Sequence, residues 1–259
     1  MRSLEEIKKY YPETLWGFSE NLLREYLQYR ILEIIFDLGI SEKCPFLGGT
    51  AIRIIHRAER FSLDLDFDNF NLSKKEFEEI GKEVKSKLSL EGYSLEVGLN
   101  IKRGVFHYSI KLNDILFMNN LTSHKNEKLL IKLDMQAHDF PYKQEMFLLK
   151  QFDIQTFIKV TPPDILLSQK ICALTNRKRK LGRDFYDVAY LSTITKPNYN
   201  YLKEKKEIKN SRDLKDLLLS ECKGLNFEDL AKDVQPLVFN SRGLKLVKLF
   251  PDFIKQVEF

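Results

Sequence analysis

An aspartate at every second position of an apolar run leaves a chain few ways to fold. Residues 61–70 read FSLDLDFDNF, with Asp64, Asp66 and Asp68 alternating against Leu63, Leu65 and Phe67. A β-strand points successive side chains to opposite faces, so the apolar residues share one face and the carboxylates the other. Asp64 and Asp66 then lie roughly 7 Å apart along the strand. Like charges held that close disfavour mutual ionisation unless something positive sits between them. The run is either a solvated strand face or a place for a cation.

Paired carboxylates on one strand face suit magnesium, which takes oxygen ligands and commonly bridges phosphates. A calcium loop is excluded, because positions 6 and 12 counted from Asp64 hold Asn69 and Lys75 instead of Gly and Glu. Asp134, in IKLDM, also follows an apolar run. It is a candidate third carboxylate on a neighbouring strand, or an ordinary strand-end residue. Gly48, Gly49 and Thr50 stand ahead of a short helix expected from about Thr50. Such glycines let a backbone approach a phosphate closely, although a glycine pair before a helix also serves as a plain turn.

The last chemically loaded stretch is KICALTNRKRKLGRDFYDVAYL, residues 170–191. Lys170 lies on a helix face beside Ile171 and Leu174, and Arg177, Lys178, Arg179 and Lys180 follow as a basic cluster. Cations at a helix end complement its dipole, and they also make a wall for phosphates or RNA. Asp184 and Asp187 share a helix face at i and i+3, where Arg183 or Lys170 can pair with them. HExxH, GxSxG and the phosphate-loop motif are absent from the sequence, and His56, His107, His124 and His138 show no metal-ligand spacing.

Organisation follows from periodicity. Apolar residues recur at helical spacing from Thr14 to Leu38, with Gly39 as a natural C-cap. Ser73 and Glu76 form a capping box ahead of a second amphipathic helix. YSLEVGLNI, GVFHYSIKL and KLLIKLDMQAH have strand character. A proline pair after Thr161 opens a stretch that is almost wholly helical to Phe259, broken at Gly182, Pro197 and Lys223–Gly224. The expected domains are residues 1–155, mixed α/β with an N-terminal helix, and residues 156–259, helical. With 43% hydrophobic residues the chain can bury a core, and its net charge of +5 says little alone about a polyanionic partner. Three scattered cysteines fit neither zinc nor a disulfide framework and suit a reducing compartment. The N-terminus lacks a signal-peptide apolar region and no run is long enough to span a bilayer, so a cytoplasmic protein is expected.

In order, FLGGTAIR, RFSLDLDFD, SQKICAL and GRDFYDVAYL resemble the motifs of the AbiEii toxin family of nucleotidyltransferases, which includes the MenT toxins and belongs to the polymerase-β-like superfamily. The resemblance spans roughly residues 40–195. It implies an α+β fold: a polymerase-β-like catalytic domain with a mixed sheet, followed by a mostly helical C-terminal domain that contributes Lys170 and the RDxYD motif. It implies that Gly48, Gly49 and Thr50 hold the nucleotide phosphates, with Arg53 and Ser62 in support. Thr50 stands where nucleotidyltransferases commonly have Ser, which keeps the hydroxyl. Asp64 and Asp66 match the catalytic metal ligands, with Asp134 as third carboxylate by superfamily logic. Lys170 matches the lysine near the triphosphate, and Asp187, or else Asp184, the aspartate of the last motif. The implied activity is a magnesium-dependent transfer of NMP from an NTP to RNA, with the tRNA 3′ end as acceptor, by the toxin of a toxin–antitoxin or phage abortive-infection system. The implied partners are an NTP, RNA and a cognate antitoxin, with or without a stable complex. Two alternatives are an NMP-transferase acting on protein, and a non-catalytic RNA- or protein-binding module.

Overall fold

Among the described residues, seven strands form one mixed sheet, and the connections that a strand-by-strand reading leaves open decide its order. The computed structural model describes residues 1–102 and 104–259. It divides into two compact units, residues 1–51 with 62–160, and residues 52–61 with 161–259.

The first unit opens with α1 (Leu4–Lys8) and α2 (Ser19–Phe36). A two-residue strand β1 (Phe46–Leu47) runs straight into α3 (Gly48–Ile54), which continues into the second unit. Then come β2 (Leu65–Asn69), α4 (Lys74–Leu90), β3 (Leu95–Lys102), β4 (Val105–Leu112), α5 (Ile115–Met118), β5 (Leu129–Ala137), β6 (Glu145–Gln151) and β7 (Ile154–Val160). The sheet order is β3-β4-β5-β2-β1-β7-β6. β2 pairs in parallel with β5, and β1 in parallel with β7, while the other pairs are antiparallel. This is the α+β plan with a mixed sheet that the sequence implies.

Local signals explain several elements. The Ser73 side chain accepts from the Glu76 amide and Glu76 reaches back to Ser73, so the expected capping box starts α4. Phe77, Ile80, Val84 and Leu88 of that helix are buried at helical spacing. The expected helix over 14–38 is α2 preceded by a 3-10 turn at Glu13–Phe18. Its burial extends around the helix, including Arg24, Glu25 and Gln28. Tyr11 donates to Glu25 at 2.8 Å, which satisfies one of these buried polar groups.

The second unit contains α6 (Pro163–Asn176), α7 (Gly182–Leu191), α8 (Tyr199–Lys206), α9 (Ser211–Glu221), α10 (Phe227–Val234), α11 (Ser241–Lys248) and α12 (Phe250–Gln256). α7 is its centre, packed by α6, α10, α11 and α12. Gly182 begins α7, and a Cβ there would strike the backbone carbonyl of Leu230 on α10. The segment 52–61 also belongs to this unit. Phe61 N–H donates to Leu237 O at 2.8 Å and Phe239 N–H to Glu59 O at 3.0 Å. The structural division thus falls at 160/161, five residues beyond the expected 155/156, because β7 runs to Val160, and it moves 52–61 out of the sheet-bearing unit. Among the described residues, no helix is long and apolar enough to cross a membrane.

Candidate active site

The acidic run enters the sheet at its middle. Leu65 and Phe67 are buried and Asp66 between them is half-exposed, as strand alternation requires. Leu47 of β1 and Asp134 of β5 are the register partners of Asp66 on either side. His107 of β4 is the partner of Asp134, and Asn100 of β3 that of His107. One row across the sheet therefore carries Leu47, Asp66, Asp134, His107 and Asn100, and register partners present their side chains to the same face.

Gly48 and Asp66 are built against each other. Gly48 has φ +81°, in the left-handed region, and a Cβ placed on it would lie 2.7 Å from Cβ and Cγ of Asp66. Any larger residue would push the Asp66 carboxylate out of its place. Gly49 and Thr50 then form the first turn of α3. Thr50 is fully buried, and its hydroxyl donates to the backbone carbonyl of Asp64. The glycine turn and the acidic pair, 14 residues apart at that bond, are thereby one local structure. The hydroxyl of Thr50 is directed to the Asp64 carbonyl, which fixes the lead-in to β2.

Asp134 stands beside Asp66 in register, as expected of a third carboxylate, but His107 Nδ1 lies 2.7 Å from its Oδ1. Among the described residues, no group of three or more His, Cys, Asp or Glu side chains is placed to hold a metal ion. Asp134 therefore does not join Asp64 and Asp66 in a ready-made triad. Asp68, the third carboxylate of the acidic face, is buried; its Oδ2 accepts from Tyr142 Oη at 2.6 Å and its Oδ1 lies 3.1 Å from His138 Nδ1. The alternation fails there because the 138–142 segment covers the strand end, with Phe70, His138 and Tyr142 in mutual ring contact. Ser62 offers its carbonyl to Gln28 Nε2 at 3.0 Å.

The helical unit carries a second charged constellation. Asp187 is 1% exposed. Its Oδ1 accepts from Arg60 Nε at 2.7 Å and from Arg60 Nη2, and its Oδ2 lies 3.0 Å from Lys170 Nζ. Burial pushes the Asp187 carboxyl up, but the Arg60 guanidinium and the Lys170 ammonium outweigh it and hold the group below the ordinary carboxylate value. Arg60 is itself 2% exposed, with Tyr186 facing its guanidinium at 5.6 Å. The Lys170 side chain as a whole is 17% exposed. Asp184 pairs differently: Arg177 Nε lies 2.8 Å from its Oδ2, yet burial dominates and raises its carboxyl. Arg53 stacks over Phe239 at 4.7 Å and donates to Ala58 O at 3.2 Å, so it packs within the helical unit.

Two residues in these constellations escape the sequence reading. His107 was set aside for lack of ligand spacing, and only the β4–β5 register shows it beside Asp134. Arg60 opens the motif RFSLDLDFD but meets its partner 127 positions away, a distance no local pattern encodes.

A family model described as nucleotidyl transferase AbiEii toxin, type IV toxin–antitoxin system, matches residues 30–244. No curated protein matches the chain. Two crystal structures share its fold. One is of an H. pylori protein described as a nucleotidyltransferase, 18% identical, with a TM-score of 0.56 over 90% of this chain and 93% of that one. The other is JHP933 from Helicobacter pylori, also 18% identical, with a TM-score of 0.51 over 90% of this chain and 91% of that one.

Proposed function

Because the chain belongs to the AbiEii nucleotidyl transferase toxin family of type IV toxin–antitoxin systems, we propose that it transfers NMP from an NTP to an RNA hydroxyl, with magnesium as cofactor and the tRNA 3′ end as acceptor. The observation that carries this reading is the fit of Gly48 against the Asp66 carboxylate, with Thr50 tied to Asp64. A turn that only reversed the chain would not need its glycine pressed on a carboxylate.

Two features support magnesium. Asp64 and Asp66 supply hard oxygen donors only, and the missing Cβ of Gly48 keeps the Asp66 carboxylate in place. Bound there, the ion would neutralise charge on the nucleotide phosphates and on the pyrophosphate that leaves. Asp64 and Asp66 would hold it. The backbone at Gly48 and Gly49 approaches the phosphates without side-chain obstruction. The acceptor hydroxyl attacks the α-phosphorus, its proton is lost, and the bond to pyrophosphate breaks. Most of the acceleration in such a transfer is positioning and electrostatics.

In the helical unit we assign Lys170 to phosphate charge, with Asp187 and Arg60 as the groups that hold its ammonium. Asp187 is buried and held by two cations, Arg60 and Lys170. Its proposed part is thus positioning, in place of the direct catalytic part that the motif implies. The family setting supports a reaction in the cytoplasm, opposite a cognate antitoxin. The test is label transfer from α-labelled NTPs into RNA and protein pools, with and without chelator and in Asp66→Ala. Label on RNA that disappears in both controls is expected. Label on a protein band overturns the acceptor, and no transfer with any NTP overturns the activity.

A further inference from the structure

The cations of the helical unit outnumber its need for helix caps. Residues 171–210 hold ten Lys and Arg against four Asp and Glu, while the whole chain has an excess of only five. The rest of the chain is therefore close to neutral, and its net charge resides here.

Apart from Arg183 and Lys196, these cations fall into two sets of four. Lys180 donates to Leu174 O at 2.8 Å and pairs with Glu221. Lys206 donates to Asn176 Oδ1, Lys205 pairs with Glu204 at 3.0 Å, and Arg177 faces Asp184. These four serve the C-terminal end of α6 and its neighbours, which is the structural use expected of cations beside helix carbonyls. Lys178, Arg179, Lys203 and Lys209 are exposed and have no ion pair among the described residues.

The surplus is also gathered. Asn198 Nδ2 donates to Asp164 Oδ2 at 2.9 Å, and Lys206 bonds Asn176, so α8 lies along α6 with both helices pointing the same way. Their C-terminal ends open together onto the 177–180 linker. Lys178 and Arg179 lie on that linker, Lys203 one turn before the Lys206 bond, and Lys209 three residues beyond the end of α8. With the caps already made, further like charges at this edge repel one another and do nothing for the fold. None of the exposed large hydrophobic side chains falls within 171–183 or 199–210, so the edge offers nothing to insert into a lipid surface or to bury in an apolar protein interface.

We infer that the edge formed by the C-terminal ends of α6 and α8 and the 177–180 linker is a docking surface for the phosphate backbone of RNA, carried by Lys178, Arg179, Lys203 and Lys209. The inference rests on the RNA-acceptor reading above and extends it to where the acceptor is gripped. Contacts of this kind position a nucleic acid without reading its sequence, and their strength falls steeply with salt.

The test uses the full chain and a fluorescently labelled tRNA transcript, with binding followed by anisotropy across a salt series. One variant combines Lys178→Gln, Arg179→Gln, Lys203→Gln and Lys209→Gln. The control combines Lys75→Gln, Lys85→Gln, Lys125→Gln and Lys150→Gln, exposed cations of the sheet-bearing unit. The edge variant should bind at least about tenfold more weakly, with a salt slope shallower by about 3, for four contacts at 0.7–0.9 each. The control should keep the slope, and both should keep the wild-type melting temperature and NTP affinity. Equal affinity and slope in the edge variant overturn the inference, as does an equal loss in the control. Label transfer is scored separately. Wild-type protein that binds through this edge but labels no RNA refutes the proposed activity and leaves the surface standing. Transfer to RNA with full binding by the edge variant refutes the surface and leaves the activity standing.

Discussion

Two acidic pairs look alike on paper and have opposite fates. Asp66, at the middle of the sheet, and Asp64, one residue ahead of β2, stay half-exposed, with the bare Cα of Gly48 set against the Asp66 carboxylate. Asp184 and Asp187, at i and i+3, are buried in the helical unit, where Asp187 is enclosed by Arg60 and Lys170 and Asp184 faces Arg177. The second pair has its charge met by the chain's own cations. A buried aspartate whose counter-charge the fold supplies serves as a strut.

Asp66→Ala should break the first side of this comparison most severely. Transfer should fall on the order of a thousand-fold, the several kcal/mol that a bound metal contributes to charge stabilisation. The melting temperature should hardly move, since a half-exposed carboxylate is lost. A label-transfer time course beside a calorimetric scan checks both. Asp187→Ala should give the converse: a stability loss of about 3–5 kcal/mol, because two cations remain without their counter-charge, seen as a lower denaturant midpoint. If Asp187→Ala instead left the midpoint unchanged and abolished transfer, Asp187 would belong with the ligands and the contrast would collapse.

Gly48→Ala combines a strained left-handed φ, at about 1–2 kcal/mol, with displacement of the Asp66 carboxylate. A fall in transfer of about a hundred-fold is expected, with magnesium titration of the activity shifted to higher concentration. Thr50→Val removes the donor to Asp64 and should cost about 1–2 kcal/mol, whereas Thr50→Ser should restore the wild-type denaturation midpoint. The pH response is the smallest effect. The folded Asp187 carboxyl lies below its unfolded value, so its stabilisation is fully present above that unfolded value and is lost as pH falls through the depressed folded one. Asp184, raised by burial, contributes with the opposite sign and favours the fold when protonated. Melting temperatures between neutral pH and pH 3 should therefore show a shallower acid limb in Asp187→Asn than in wild type.

Much of this molecule can be read locally. The alternation in FSLDLDFD places β2, the Ser73–Glu76 box starts α4, and the proline pair starts α6. β6 and β7 escape for a physical reason. Their turn carries Phe152 at φ +59°, where Gly or Asn usually marks a hairpin. Phe152 tolerates that backbone among the rings of Tyr10, Tyr26 and Tyr29, at 4.9, 5.0 and 5.4 Å. β1 is too short, at two residues, to show any period.

What the sequence by itself determined is local: which residues alternate, where helices start, which motifs stand in which order, and hence the family. Only the tertiary structure decided what each charge is for. It joined Arg60 to Asp187 across 127 positions, set His107 beside Asp134, and turned the Thr50 hydroxyl to the Asp64 carbonyl. The reason is electrostatic. A charged group's role depends on burial and on the nearest opposite charge, and both belong to the folded chain.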